Sequence, residues 1–162
     1  MSDAILMPSR RGVLILSGLG LLLAGCSTID ALTPIDGAED ETAAALPLVN
    51  RVRAERGLSP LAAKGAARSA AAEQAVRMAK AEQMTHLIGR GDDFKSRMKR
   101  RDVPLPAAEN IASGQNSVED AVEAWIRSQS HLTNMLGAYR GLGVAMARST
   151  ASRPYWAMVL SA

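Results

Sequence analysis

The residues of this chain best suited to chemistry are two histidines and a glutamate. His86 and His131 are its only histidines, and Glu109 lies between them in a short segment bounded by turn residues. Two imidazoles and a carboxylate can hold a divalent cation such as Zn²⁺, and they can also transfer a proton. We therefore expect the fold to bring the three side chains together on the floor of one cleft.

Two further polar residues fall close to these three in the sequence. Asn110 follows Glu109, and its amide is suited to bridging loops or satisfying exposed backbone groups. Ser128 precedes His131 by one helical turn and could hydrogen-bond it, but a Ser–His pair without an oriented acid and an oxyanion hole is weak evidence for a hydrolase. A purely structural interpretation is open as well, in which Glu109 pairs with an imidazole and its pKa falls as a result.

The apolar pattern predicts the elements that position these residues. A helix with a stripe of small side chains is predicted from residue 60 to 84, with Ser59 as its cap, and His86 follows its end. Asp92 is expected to cap a short helix beyond it. Residues 107–113 are expected to form a strand that carries Glu109.

The C-terminal part of the chain is predicted to alternate between helix and strand. Ser117 is expected to cap a helix that ends near Ser128, and residues 130–135 to add a further turn. Residues 139–148 and 155–160 have the pattern of two strands joined by a short turn, which predicts a hairpin. Helices packed on an antiparallel sheet, an α+β fold, would account for this order of elements.

An apolar segment near the N-terminus resembles a secretory signal. Residues 12–25 form an apolar run that is preceded by Arg10 and Arg11. The run is too short for a transmembrane helix, which needs about 20 residues, but it has the length of the apolar part of a signal peptide. We expect residues 1–25 to be removed as a signal peptide.

The sequence Leu-Ala-Gly-Cys that ends at Cys26 resembles the lipobox of bacterial lipoproteins. The thiol of Cys26, the only cysteine of the chain, would then be acylated and would anchor the mature chain to a membrane. Ser27 favours the periplasmic face of the outer membrane in such proteins. The alternatives are an ordinary cleavage site and an uncleaved anchor. Residues 26–44 are expected to form a flexible tether and residues 45–162 the folded domain.

The charge balance of the chain argues against a nucleic-acid partner. Without residues 1–25 the chain has 17 basic and 15 acidic side chains, which is close to neutral. The one local basic cluster is expected to be a solvated helix face, and contact with anionic lipid headgroups or cell-wall polymers is the alternative. The cluster consists of Lys95, Arg97, Lys99, Arg100 and Arg101.

Three sequence patterns occur in a recognisable order. They are residues 50–61 with the alanine-rich segment leading to His86, residues 109–112 (Glu-Asn-Ile-Ala), and residues 125–136 followed by a glycine-containing strand. Together they resemble the CAP superfamily (cysteine-rich secretory proteins, antigen 5 and pathogenesis-related 1) in its short bacterial form, the SCP domain. No single motif is specific, but the order and spacing of all three are similar to the family over residues 46–162.

The resemblance implies a three-layer α-β-α sandwich with a small antiparallel sheet and a central cleft. In some members of the family the cleft carries two histidines and two acidic residues that bind zinc or another divalent cation. His86 and His131 match the histidines, and Glu109 matches one acid. Ser128 stands where animal members usually carry the second acid, and Ala108 stands where the family often has glycine.

These observations leave three interpretations of function. The leading one is a non-catalytic binding module of the cell envelope that holds a small ligand, a lipid or a cell-wall fragment, with an optional divalent cation. The second is a metal-dependent hydrolase with Glu109 as the base. The third is a polar triad that only ties the fold together. The predicted cleft residues are His86, Glu109, Asn110, Ser128 and His131.

Overall fold

The computed structural model describes residues 35–162. The predicted signal peptide, residues 1–25, lies outside the described residues, and so do the predicted acylation site Cys26 and its neighbour Ser27. The described helices are α1 (Thr42–Ala54), α2 (Gly65–Ala81), α3 (Phe94–Arg100), α4 (Val118–Arg127) and α5 (Gln129–Met135). The described strands are β1 (Ala38–Asp40), β2 (Ala62–Ala63), β3 (Ala107–Ser113), β4 (Gly141–Arg148) and β5 (Pro154–Ser161). No helix within residues 35–162 is long and apolar enough to cross a membrane.

The strands form one sheet in the order β1-β4-β5-β3, with the short β2 also paired to β4. Strands β4 and β5 make the predicted antiparallel hairpin, in which Val144 lies opposite Met158. Strand β3 runs antiparallel to β5 along its whole length, from Ala107 opposite Ser161 to Ser113 opposite Tyr155. Strand β3 is therefore one edge of the sheet.

Helices cover both faces of this sheet. On one face α2 packs against β4 and β5, and its buried Ala67, Ala71 and Ala75 allow a close approach. On the other face α1 and α4 share a core with the sheet, centred on Trp125 and Leu142. The predicted α+β class and the three-layer α-β-α sandwich are confirmed.

Several local predictions are confirmed in detail. The predicted strand at residues 107–113 has the bounds of β3. The Ser117 hydroxyl caps α4 by accepting a hydrogen bond from the Asp120 backbone N–H at 3.1 Å. Asp120 also lies in the first turn, where the helix dipole favours a negative charge.

The start of the alanine-rich helix was predicted wrongly. Helix α2 begins at Gly65, and Ser59 does not cap it. The Asn50 side chain bonds both the N–H and the C=O of Leu61, at 2.8 and 3.0 Å. These bonds hold the preceding segment extended, so that β2 can pair with β4 before the helix starts. Similarly, the cap of α3 is Asp93, one residue after the predicted Asp92.

The folded part of the chain also begins before residue 45, the predicted boundary between tether and domain. Strand β1 pairs with β4, with Glu39 opposite Met146, although the sequence analysis placed residues up to 44 in the tether. The Thr42 hydroxyl accepts a hydrogen bond from the Val144 N–H at 2.9 Å and donates one to its C=O at 3.2 Å. The acidic composition of this segment hid its role, because β1 gains its stability from backbone pairing rather than from apolar side chains.

Candidate functional site

The predicted site residues lie around the edge strand β3. Alternate side chains of a strand point to opposite faces of the sheet. Ile111 belongs to the core beneath α2, whereas Ala112 belongs to the core shared with α4. Glu109 therefore faces the α2 side, and Asn110 faces the opposite side, where α5 contacts β3.

Glu109 is held by two partners in a buried position. Arg97 on α3 donates from both terminal nitrogens, to Oε2 at 2.6 Å and to Oε1 at 2.9 Å. His86 Nδ1 lies 2.8 Å from Oε1 of the same carboxylate. The side chains of Glu109 and Arg97 are 2% and 1% exposed, whereas that of His86 is 53% exposed. The predicted meeting of His86 and Glu109 is thus present, with an arginine behind it.

The arrangement keeps Glu109 ionised. Burial raises the pKa of Glu109, but the hydrogen bonds from His86 and Arg97 and the charge of Arg97 outweigh it, so that this pKa lies below the usual glutamate range. A bidentate arginine pair is also the strongest ion-pair geometry available to a carboxylate. Glu109 is consequently a poor proton acceptor at neutral pH.

Three side chains fix the backbone that carries His86. Gln74 Nε2 donates to the Thr85 carbonyl at 2.7 Å, and Arg97 donates to the carbonyl of His86 itself at 3.0 Å. Arg77 donates to the carbonyl of Ile88. Helices α2 and α3 therefore set the position of His86 through its own backbone and that of its neighbours.

Asn110 links β3 to α5, as a bridging role predicts. Its Nδ2 donates to the His131 carbonyl at 3.0 Å, and its Oδ1 accepts from Asn134 Nδ2 at 2.9 Å. The Asn110 side chain is fully buried, whereas His131 and Asn134 are partly exposed, so both bonds are partly buried. This amide fixes α5, and with it His131, against the edge strand.

The pKa of His131 lies below the usual histidine value. Burial lowers the pKa of His131, and the positive charge of His86 lowers it further. The imidazole of His131 is therefore largely neutral at pH 7. Among the described residues, no hydrogen bond joins His131 to Glu109.

The predicted bond between Ser128 and His131 is absent from the described contacts. Ser128 is the boundary residue between α4 and α5, and its hydroxyl lies 3.3 Å from that of Ser130. The last turn was predicted to start at Ser130, whereas α5 starts at Gln129. A Ser–His pair for hydrolysis is not formed.

The predicted cation site does not fit this donor arrangement. Within residues 35–162, no three His, Cys, Asp or Glu side chains are grouped so that they could hold a metal ion. Both oxygens of Glu109 are occupied by Arg97 and His86, and the guanidinium places a positive charge where a divalent cation would have to bind. We therefore derive no chemistry from a metal bound by His86, Glu109 and His131.

Arg97 is the site residue that the sequence analysis missed, because it was assigned to a solvated basic cluster. Only part of that cluster is solvated. The Arg97 side chain is buried and forms an ion pair with Glu109, and Arg100 and Arg101 pair with Glu73. The spacing of residues along a helix could have identified Arg97 as a buried residue. Residues at spacings of three and four share a helix face, and Arg97 lies three residues after the inward-facing Phe94.

Comparisons with known proteins identify the family and the fold of the chain. Residues 46–160 match the family described as CAP, the cysteine-rich secretory protein family. No curated protein sequence matches the chain.

Three solved structures share its fold. An outer surface protein from Borrelia burgdorferi has a TM-score of 0.64 at 18% identity, covering 76% of this chain and 97% of that one. An extracellular SCP-domain protein from Bacillus anthracis has a TM-score of 0.65 at 22% identity, covering 74% of this chain but only 39% of that one. NaASP2, solved with Zn²⁺, has a TM-score of 0.54 at 16% identity, covering 78% of this chain and 82% of that one.

The similarity to solved structures shows the fold. The family match is a separate finding, because it rests on the sequence, and it covers most of the described residues. The segments that carry the match include α2, β3, α5 and the hairpin, the elements that place His86, Glu109, Asn110 and His131 around one edge of the sheet. On this evidence the chain belongs to the CAP family of cysteine-rich secretory proteins.

Proposed function

We propose that this protein is a non-catalytic binding module of the bacterial cell envelope. Its ligand would contact His86 and His131 at the edge of β3, with Ser128 bordering the same region and the buried Asn110 holding α5 in place. The observation that carries the proposal is the bidentate ion pair between Arg97 and Glu109. It removes the one buried carboxylate of the site from proton transfer and turns it into a rigid support for His86.

The arrangement does not favour the hydrolase alternative in which Glu109 is the base. A general base works best when its pKa lies near the operating pH, whereas the pKa of Glu109 is lowered. The other route, a metal-bound water, requires a donor set that Arg97 disrupts. A polar network that holds a binding surface in place agrees better with the contacts.

The surface beside His86 suits an amphipathic ligand. Leu87 is 57% exposed, and it follows a half-exposed imidazole whose backbone is fixed by α2 and α3. An exposed apolar side chain next to a polar one can contact both parts of a lipid or of a lipid-linked cell-wall fragment. This class of ligand is also available in the compartment that the N-terminal sequence indicates.

Envelope location is part of the same proposal. The signal peptide of residues 1–25 and the acylated Cys26 rest on the sequence, and two of the structural neighbours are an outer surface protein and an extracellular protein of bacteria. Lipid attachment at Cys26 would place the domain on a membrane, at the periplasmic face of the outer membrane. A Cys26→Ser variant should leave the membrane fraction of expressing cells and no longer incorporate labelled palmitate. Continued membrane attachment of that variant would contradict the anchor.

The binding role is tested with two probes, a fluorescent long-chain fatty acid and a purified muropeptide. We expect the full chain to bind one of them saturably and to return it chemically unchanged by mass spectrometry. His131→Ala should weaken binding about tenfold or more without lowering the midpoint of urea unfolding. Gln129→Ala, an exposed change on the same helix, is the matched control and should bind as the wild type does.

Two results would overturn the binding role. Conversion of either probe by the wild type, lost in a folded Glu109→Gln variant, would establish the hydrolase instead. Failure of both probes to bind, with His131→Ala affecting only the stability, would leave the polar network as a structural element.

A further inference from the structure

A second concave region lies at the other end of strand β3. A cavity of about 490 Å³ opens where β3 ends, where the turn of the β4–β5 hairpin lies and where the chain leaves α2. Its volume is within the range of about 300–1,000 Å³ that is usual for small-molecule sites. The residues lining it are Glu82, Met84, Ser113, Ser149, Ala151, Arg153 and Tyr155.

Neither His86 nor His131 lines this cavity, although Met84 lies two residues before His86. Ser113 follows Glu109 by four residues on the same strand and points to the same face. A strand rises about 3.3 Å per residue, so the two positions are about 13 Å apart. None of the cleft residues predicted from the sequence lines this cavity.

Tyr155 lines the cavity with its hydroxyl group. The residue lies directly opposite Ser113 in the sheet, and its ring belongs to the core beneath α2. Its hydroxyl makes no hydrogen bond to another described residue and is not among the buried unpartnered atoms, so it is open to water in the cavity. A ligand oxygen could replace that water as its hydrogen-bond partner.

Two opposite charges also line the cavity without pairing with each other. Arg153 donates to the Ser113 hydroxyl at 3.2 Å, and Glu82 accepts from the Thr150 hydroxyl at 3.1 Å. Within the described residues no carboxylate lies within 4.0 Å of Arg153, and no cation lies that close to Glu82. The cavity therefore offers a cation and an anion at separate places, with hydroxyl groups beside them.

We propose that this cavity binds a zwitterion of the size of an amino acid or a dipeptide. The ligand carboxylate would accept from the Arg153 guanidinium and the Tyr155 hydroxyl, since charged groups form the stronger hydrogen bonds. The ligand ammonium would donate to the Glu82 carboxylate. Met84, which is largely exposed beside Glu82, would contact a small apolar side chain.

The test uses methionine-methyl NMR of the full chain with the dipeptide alanyl-alanine as the probe. Met84 lines the cavity, whereas Met98 and Met135 are fully buried elsewhere and serve as internal references. We expect a saturable shift of the Met84 methyl signal alone. The N-acetylated and C-amidated forms of the same dipeptide should each bind about tenfold or more weakly, because each lacks one charge.

Three substitutions assign the two ends of the ligand. Arg153→Gln and Tyr155→Phe should weaken alanyl-alanine binding about tenfold and abolish its advantage over the C-amide. Glu82→Gln should abolish the advantage over the N-acetyl form. Arg140→Gln is the matched control, because this exposed arginine lies next to the opposite end of β4, and it should leave binding unchanged.

The proposal is overturned by either of two results. One is the absence of a saturable Met84 shift up to about 10 mM dipeptide, a concentration beyond which binding would be too weak to count as a site. The other is equal binding of the free, acetylated and amidated dipeptides, which would show that neither charge is recognised. Both results are independent of the proposed role of His86 and His131, because those residues are unchanged in every variant.

Discussion

Arg97 determines what the buried carboxylate at the edge of the sheet can do. A glutamate that is 2% exposed would ordinarily be neutralised by burial, and it would then be able to donate a proton. The Arg97 guanidinium instead keeps Glu109 ionised and donates a hydrogen bond to each of its carboxylate oxygens. The chemistry of the site is thereby left to the two imidazoles, one paired and half-exposed, the other partly buried and without a bond to the carboxylate.

Removing Arg97 should be costly because it leaves an uncompensated charge. We expect Arg97→Met to lower the free energy of unfolding by about 3–5 kcal/mol, as measured by urea denaturation. Arg127→Met removes an exposed ion pair with Glu123 and should cost less than about 1 kcal/mol. The double change Arg97→Met with Glu109→Leu should recover much of the loss. A loss below about 1 kcal/mol in the single variant would show that the pair is not needed to hold Glu109.

The stability contributed by Glu109 should depend on pH in a defined direction. Its folded-state pKa is below the unfolded value of about 4.3, so its contribution is present above that pH and is lost as the pH falls through the folded value. We expect the free energy of unfolding to fall more steeply on acidification below about pH 4.3 in the wild type than in Glu109→Gln. Asp40 and Glu73, whose pKa values are also lowered, are common to both proteins. Parallel curves would contradict the assignment.

The interaction between the two histidines can be measured directly. Because the charge of His86 helps to lower the pKa of His131, His86→Ala should raise the pKa of His131. A titration followed by the imidazole proton signals in NMR gives this value. Arg148→Gln, which removes a distant exposed charge, should leave it unchanged. An unaltered pKa in His86→Ala would place the two rings too far apart to share a ligand.

Among the described elements, α2 and β4 approach each other closely enough for backbone atoms to be in contact. A Cβ atom added to Gly143 would overlap the backbone of Ala67 and Arg68, so the strand lies directly against the helix there. The alanines of α2 make this approach possible, and the rigid layer that results carries Gln74 and Arg77, which hold the His86 segment. Site geometry thus depends on small residues that make no contact with a ligand.

Gly143→Ala should therefore be strongly destabilising. Backbone atoms cannot move aside as a side chain can, and we expect a loss of about 1–3 kcal/mol or more in the free energy of unfolding. Gly141→Ala is the comparison on the same strand: its added Cβ would meet side-chain atoms of Ser161 and Lys64 rather than backbone, so we expect a smaller loss. Thermal and urea unfolding would compare the two. Equal losses would mean that the α2–β4 contact is looser than the structure shows.

For the whole molecule, periodicity predicted the elements whose side chains alternate or repeat. Strand β3, the hairpin and the cap at Ser117 were predicted because each has a local signal. Strands β1 and β2 were not, because a few polar or small residues join the sheet through backbone pairing alone. The pair of His86 and Glu109 was predicted, but its arginine was not, since burial of a charge depends on a partner far along the chain.

The location of the first strand gives a prediction for the molecule as a whole. Residues 38–42 complete the outer side of β4 by strand pairing and through the Thr42 hydroxyl. A chain beginning at residue 45 would lose both and expose unpaired backbone groups on β4. A chain beginning at residue 35 keeps them.

We expect the chain that begins at residue 45 to unfold at a clearly lower urea concentration than the chain that begins at residue 35, and to aggregate more readily through the exposed edge of β4. The chain from residue 35 should match the full-length protein. Since Thr42 is buried and bonds both backbone groups of Val144, a Thr42→Val variant of the longer chain should reproduce part of the loss, about 1–3 kcal/mol. Equal midpoints of urea unfolding for the two chains would show that the stable domain begins at residue 45 and that β1 does not contribute to its stability.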